Sequence, residues 1–169
     1  SSTTAMLAMG DALAVVVAER RGFRERDFAL LHPGGQLGRR LLLKVSDLMR
    51  SGAAHPIMKD TARVRAALLA ITRARAGSAT VVDSRGRVTG IFTDGDLRRH
   101  LDASGRLLER PVREVMTRHP KTIGAERLAA EALRVLREHK IDELVVVDGR
   151  RRPVGLLDVQ DLLKAGFVA

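Results

Sequence analysis

The chain has 169 residues, room for one ordinary domain or two small ones, and with 2% aromatics and neither Trp nor Tyr its core must be aliphatic. It has no cysteine, which excludes disulfides and cysteine-based metal sites, and its five histidines (His32, His55, His100, His119, His139) show no metal-ligand spacing, so no metal is expected. A net charge of +10 invites a nucleic-acid reading, but the arginines are dispersed in pairs and triplets and only four Phe could stack on bases; a solvated basic surface or a small-anion site is expected instead.

The first element in chain order is "AMLAMGDALAVVVAERRG", read as an amphipathic helix of about four turns, with Ser1, Ser2, Thr3 and Thr4 supplying N-cap hydroxyls. No apolar run is expected to reach the roughly 18 residues of a membrane span, and no basic n-region marks a signal peptide. A cytoplasmic protein without membrane contact follows as the expectation. The chain opens inside a helix start and without Met, which suits a piece of a longer protein. Next comes "LLHPGGQLGRR" at 30–40, where Pro33 and Gly34-Gly35 fix a turn around His32.

Beyond residue 44 the chain repeats itself. "VSDLM" at 45–49 is echoed by "VREVM" at 112–116, "ATVVD" at 79–83 by "LVVVD" at 144–148, and "GIFTDGDL" at 90–97 by "GLLDVQDL" at 155–162. Each copy reads as a short Val-x-x-x-Met opening, a helix, two strands and a second helix. Val64, Ala67, Leu68 and Ile71 mark the buried face of one first helix; Leu128, Ala132, Val135 and Leu136 mark the other. "DSRGR" and "DGRRR" separate the strand pairs as turns, and short helices begin at Thr93 and Asp158. One such unit buries too little surface to be comfortable alone, so two should share a core.

These motifs resemble the tandem CBS (cystathionine β-synthase) module, a β-α-β-β-α unit that occurs in pairs. The resemblance implies an α/β (α+β) fold with ligand clefts between the copies, usually for adenine nucleotides or related anions. Thr93 stands at a strand-to-helix junction, where its hydroxyl and nearby N–H groups suit a phosphate, and Asp96 suits ribose hydroxyls. The same two residues also form a capping arrangement, which does not exclude the ligand role. Copy two has Asp158 at the place of Thr93 and Asp161 at the place of Asp96. A carboxylate at 158 repels phosphate, so the two clefts should differ, with Asp158 better suited to a sugar hydroxyl or an amine. His139 ends the copy-two helix near a cleft, as a ligand contact or as a helix-terminal cation.

"SSTTAMLAMGDALA", "RDFALLHPGGQLGRRLL", "VSDLM" and "GIFTDGDLRR" together resemble the bacterial D-arabinose-5-phosphate isomerases of the KpsF/GutQ type. In that family a sugar-isomerase (SIS) domain precedes a CBS pair. The resemblance assigns residues 1–44 to the end of an SIS domain and a linker, 45–103 to a first CBS domain and 110–167 to a second. It implies interconversion of D-ribulose 5-phosphate and D-arabinose 5-phosphate by the parent enzyme, the entry to Kdo and lipopolysaccharide synthesis. His32 then matches an active-site histidine suited to proton transfer near neutral pH, with its partners upstream of Ser1. This stretch of chain should be inactive alone and need no cofactor. The pair should sense a small anionic ligand, CMP-Kdo or an adenine nucleotide, within a homodimer or larger oligomer. A generic adenine-nucleotide sensor of another protein is the alternative, and a basic nucleic-acid binder a weaker one.

Overall fold

A computed structural model describes residues 2–23, 27, 42–101 and 106–167. The chain divides into two units, Ser1–Leu42 and Leu43–Ala169. His32 lies outside the described residues.

The first unit contains helix α1, Ser2–Arg20, which is longer than the expected four turns. None of its residues is buried. Met6, Leu7, Met9, Leu13, Val15, Val16 and Val17 are all exposed, and such spacing leaves no polar face. The expectation of an amphipathic helix is therefore corrected: α1 is apolar on every side. By length and composition it could cross a membrane, contrary to the expectation that no run approaches that length.

The second unit holds the repeat. Copy one runs through strand β1 (Ile57–Lys59), helix α2 (Val64–Ala74), strands β2 (Ser78–Val82) and β3 (Val88–Thr93), and helix α3 (Asp94–His100). A two-residue strand, β4 (Thr117–Arg118), follows. Copy two runs through β5 (Thr122–Gly124), α4 (Ala129–His139), β6 (Glu143–Val147), β7 (Pro153–Asp158) and α5 (Val159–Lys164). In each copy the first strand pairs parallel to the second and the second antiparallel to the third, with an irregularity before Val82 and again before Val147. The parallel pair needs a crossover, which α2 and α4 supply.

Both crossover helices end the same way. Arg75 and Lys140 take the left-handed conformation and return their N–H groups to the last turn. On α2 the buried positions are Val64, Ala67 and Ile71, with Leu68 half-buried. On α4 they are Ala129, Ala132, Leu133 and Leu136. Leu128 precedes α4 and is exposed, so the buried stripe starts one residue later than its periodicity suggested.

The two Val-x-x-x-Met openings are short 3-10 turns at Val45–Asp47 and Val112–Glu114, and they change places. Val45 of copy one is fully buried among Ile123, Ala132, Leu136, Leu144 and Leu157 of copy two. Val112 and Val115 are buried among Val64, Ala67, Ile71, Val81 and Phe92 of copy one. The exchange is pinned by backbone bonds, Val45 N to Arg127 O at 2.8 Å and Val112 N to Ala62 O at 2.7 Å. β4 completes the exchange by pairing antiparallel with β3, and Arg50 bridges Leu156 in the same manner. Each fully buried valine contributes about 1.5–3 kcal/mol of transfer free energy. A third cluster, Val88, Ile91, Val145 and Leu156, joins the copies directly. The copies therefore share a core, as the small size of one unit required.

Candidate functional site

The exchange brings the ends of β3 and β7 into one cleft of about 710 Å³ between the copies. Its polar floor comes from the registers of the two hairpins. Ser78 lies opposite Thr93 in copy one, and Glu143 opposite Asp158 in copy two. Ile91, Pro120, Ile141 and Val159 supply apolar wall, and Arg98 and Lys121 supply positive charge at the rim. Among the described residues neither of those two cations is held in an ion pair.

At the copy-one end, Thr93 is the N-cap of α3. Its N–H and hydroxyl both donate to Asp96 Oδ2 at 2.9 Å, and its oxygen accepts from Asp96 N. Asp96 Oδ1 takes Thr117 Oγ1 at 2.8 Å and Arg99 Nη2 at 2.6 Å. Asp96 is 2% exposed and does not line the cleft. The carboxylate expected to meet ribose is instead spent inside the protein, fixing Thr93 and tying α3 to the crossing segment. Thr93 and the start of α3 face the cleft, where the first N–H groups of a helix lack an intrahelical partner.

At the copy-two end, Asp158 caps α5 by accepting from Gln160 N at 2.8 Å, and it lines the cleft. Its other oxygen takes Arg50 Nη2 at 3.1 Å. Asp161, expected as a ligand contact, is held by Arg50 through Nε at 2.7 Å and Nη2 at 3.2 Å and does not line the cleft. His139 is exposed at the end of α4 and is also outside the lining; the left-handed turn at Lys140 sends Ile141 and Asp142 there instead. Of the five expected contacts, the cleft brings together Thr93 and Asp158.

Glu143 sits between the two ends. Its Oε1 lies over Gly77, and neither that oxygen nor the buried Ser78 Oγ beside it has a hydrogen bond of good geometry. Burial pushes the Glu143 carboxyl above its ordinary range; the Asp158 charge adds to this, while Ser78, the Gly77 N–H and Arg50 oppose it. Among the described residues no cluster of three metal-ligating side chains exists. The cleft thus pairs an end where Arg98 and Lys121 stand against the single carboxylate of Asp94 with an acidic end of Asp142, Glu143 and Asp158. Such a site suits an anion joined to an apolar ring.

Sequence reasoning missed Arg50, Arg98, Lys121 and Glu143. For Arg50 a signal was present: it follows Met49 as Thr117 follows Met116. That equivalence acquires meaning only once the crossing segments are seen to exchange.

The CBS domain family model matches residues 45–103 and 112–167. Over 168 residues the chain is 51% identical to arabinose 5-phosphate isomerase KdsD of Pseudomonas aeruginosa, covering 99% of this chain and 52% of that protein. It is 46% identical over 168 residues to the KdsD of Escherichia coli K12, covering 99% of this chain and 51% of the relative. The chain spans about half the length of the curated relatives it matches. Among solved structures, CBSX2 in complex with AMP superposes with a TM-score of 0.63 at 24% identity, covering 73% of this chain and 95% of that one. A CBS domain pair in complex with 5′-methylthioadenosine and S-adenosyl-L-methionine superposes at 0.65 with 20% identity, covering 73% and 94%.

Proposed function

The chain belongs to the CBS domain family, and from that premise we propose that its inter-copy cleft senses a phosphorylated nucleotide ligand, an adenine nucleotide or a nucleotide sugar such as CMP-Kdo. The observation behind this reading is that Thr93, Arg98 and Lys121 line one cleft with an apolar wall of Ile141 and Val159. The cations and the Thr93 end take the phosphate, and the apolar wall takes a ring. Asp96 acts through Thr93, whose position it fixes. Asp158, already ion-paired, is left one oxygen face toward a sugar hydroxyl. The AMP and S-adenosyl-L-methionine bound by proteins of the same fold support a nucleoside.

The pair regulates an arabinose 5-phosphate isomerase, a role supported by identity to KdsD enzymes across nearly the whole chain. In this reading residues 1–44 end a sugar-isomerase domain, and His32 belongs to that domain's chemistry rather than to the cleft. The complete protein works as a cytoplasmic homodimer or larger homo-oligomer. Calorimetric titration with AMP, ATP and CMP-Kdo tests the ligand class. At least one should bind, and Lys121→Ala should weaken it about tenfold, near the worth of one charge-assisted contact. If none of the three binds, the reading fails. Tight AMP binding with no response to CMP-Kdo favours a generic adenine-nucleotide sensor over feedback by the activated sugar.

A further inference from the structure

Arg50 holds in copy two the place that Thr117 holds in copy one. Each is the residue after the methionine of a crossing segment, and each reaches the third residue of the facing helix, Asp161 of α5 or Asp96 of α3. The two side chains differ in length and charge. Thr117 adds a hydroxyl to Asp96 and stops there. The Arg50 guanidinium makes a two-pronged bond to Asp161, a third to Asp158 Oδ2 and a fourth to the Arg75 carbonyl at 3.2 Å, at the end of α2.

We propose that the Arg50 guanidinium fills the second of two pseudo-equivalent ligand positions, so that the pair takes one nucleotide per chain rather than two. The proposal rests on the reading of the cleft as a nucleotide site. Three observations support it. First, the side chains of Arg50, Asp158 and Asp161 are 19%, 15% and 16% exposed, so the triad is mostly closed to solvent. Second, a ligand phosphate at this end would meet Asp158 where copy one offers the neutral Thr93, with Glu143 adding a further acid nearby. Third, the guanidinium takes Asp158 Oδ2 as well as both Asp161 oxygens, whereas the Thr117 hydroxyl bonds Asp96 and leaves Thr93 lining the cleft. The internal cation offsets the acidic pair that would otherwise demand a cationic ligand.

Arg50→Thr with Asp158→Thr, made in a Leu163→Arg background, gives copy two the side chains found at Thr117, Thr93 and Arg98 in copy one. Calorimetric titration with AMP should then give one site on the 169-residue wild-type chain and two on the triple variant. A second readout needs no substitution. On saturation with AMP, the Arg50 Nε–H resonance of the wild type should stay at its ligand-free shift while the amides of 93–98 move. Two AMP per wild-type chain, or movement of the Arg50 resonance on binding, overturns the proposal. So does a triple variant that is folded by circular dichroism and still takes one AMP. A wild type without AMP and a triple variant with one would support the filling by Arg50 while removing the Thr93 end as a nucleotide site. No AMP on either protein overturns the nucleotide reading itself, and the stoichiometry with it.

Discussion

Met49 of the first copy lies on Gly155 of the second, its Sδ within clash distance of the point where a Cβ at that glycine would be built, with the Arg50 carbonyl at 3.1 Å from the same point. Met116 covers Gly90 in the equivalent contact of the repeat. Glycine at these two strand positions is what lets the crossing segment press against the sheet.

Adding a methyl group there should force the methionine out. Gly155→Ala is expected to destabilise the chain by about 1–3 kcal/mol, the range for overpacking a closed contact. Met49→Ala should relieve the clash, so the double variant should lose less than the sum of the singles. Urea denaturation of the four proteins checks this; strict additivity would mean that the contact does not constrain the fold.

Copy one places Gly52 and Gly86 in the left-handed region, where copy two has His119 and Arg151. Those two side chains have φ near +51° and +61°. Arg151→Gly should therefore raise stability by up to about 1 kcal/mol, the left-handed penalty less the added freedom of the unfolded chain. Thermal melting checks it, and a lower midpoint would show that the arginine makes compensating contacts.

His55 is 5% exposed, its Nε2 paired with Thr80 Oγ1 at 2.8 Å, and burial lowers its pKa to about 4. Between the ordinary value of 6.5 and that lowered one, the unfolded chain binds the proton and the folded chain does not. Stability from this residue is thus full above pH 6.5 and lost progressively as pH falls toward 4. His55→Gln keeps a hydrogen-bonding group without the titration. Its melting temperature should fall less than that of the wild type over this window; parallel curves would contradict the assignment.

Glu143 has the opposite linkage. Its folded pKa is raised above the ordinary 4.5, so stability is lost as pH rises from there through the folded value. Glu143→Gln should raise the melting temperature at pH 7–8 and change it little near pH 4. An unchanged midpoint at neutral pH would show the carboxylate to be adequately solvated.

The repeat, the hairpins and the two helix starts were legible because each is local: alternating apolar runs, turn residues between them, and a Thr or Asp at the cap. Thr93 and Asp158 were found by the same local signal. What was not legible is long-range. Nothing in "VSDLM" says that Val45 is buried against Leu144 rather than Val81, since both copies offer the same apolar face. The fate of Asp161 followed from that exchange, because only the crossing brings Arg50 within 2.7 Å of it. The surroundings of Asp96 were hidden for a related reason: a capping carboxylate and a ligand carboxylate look alike in the sequence, and Thr117 and Arg99 come beside it only in the fold. For α1, counting apolar residues without asking which sides they occupy produced an amphipathic reading that the all-round distribution of Met, Leu and Val does not support.

The crossing of Val45 and Val112 also bears on ancestry. A single unit standing alone would carry a valine with no core of its own to enter and a core with no valine to close it. Two identical single units could satisfy each other by trading these segments between chains, as a swapped homodimer. Joining the two genes would then keep every contact and make the trade internal, leaving the second copy free to replace a threonine by Arg50's partner Asp158.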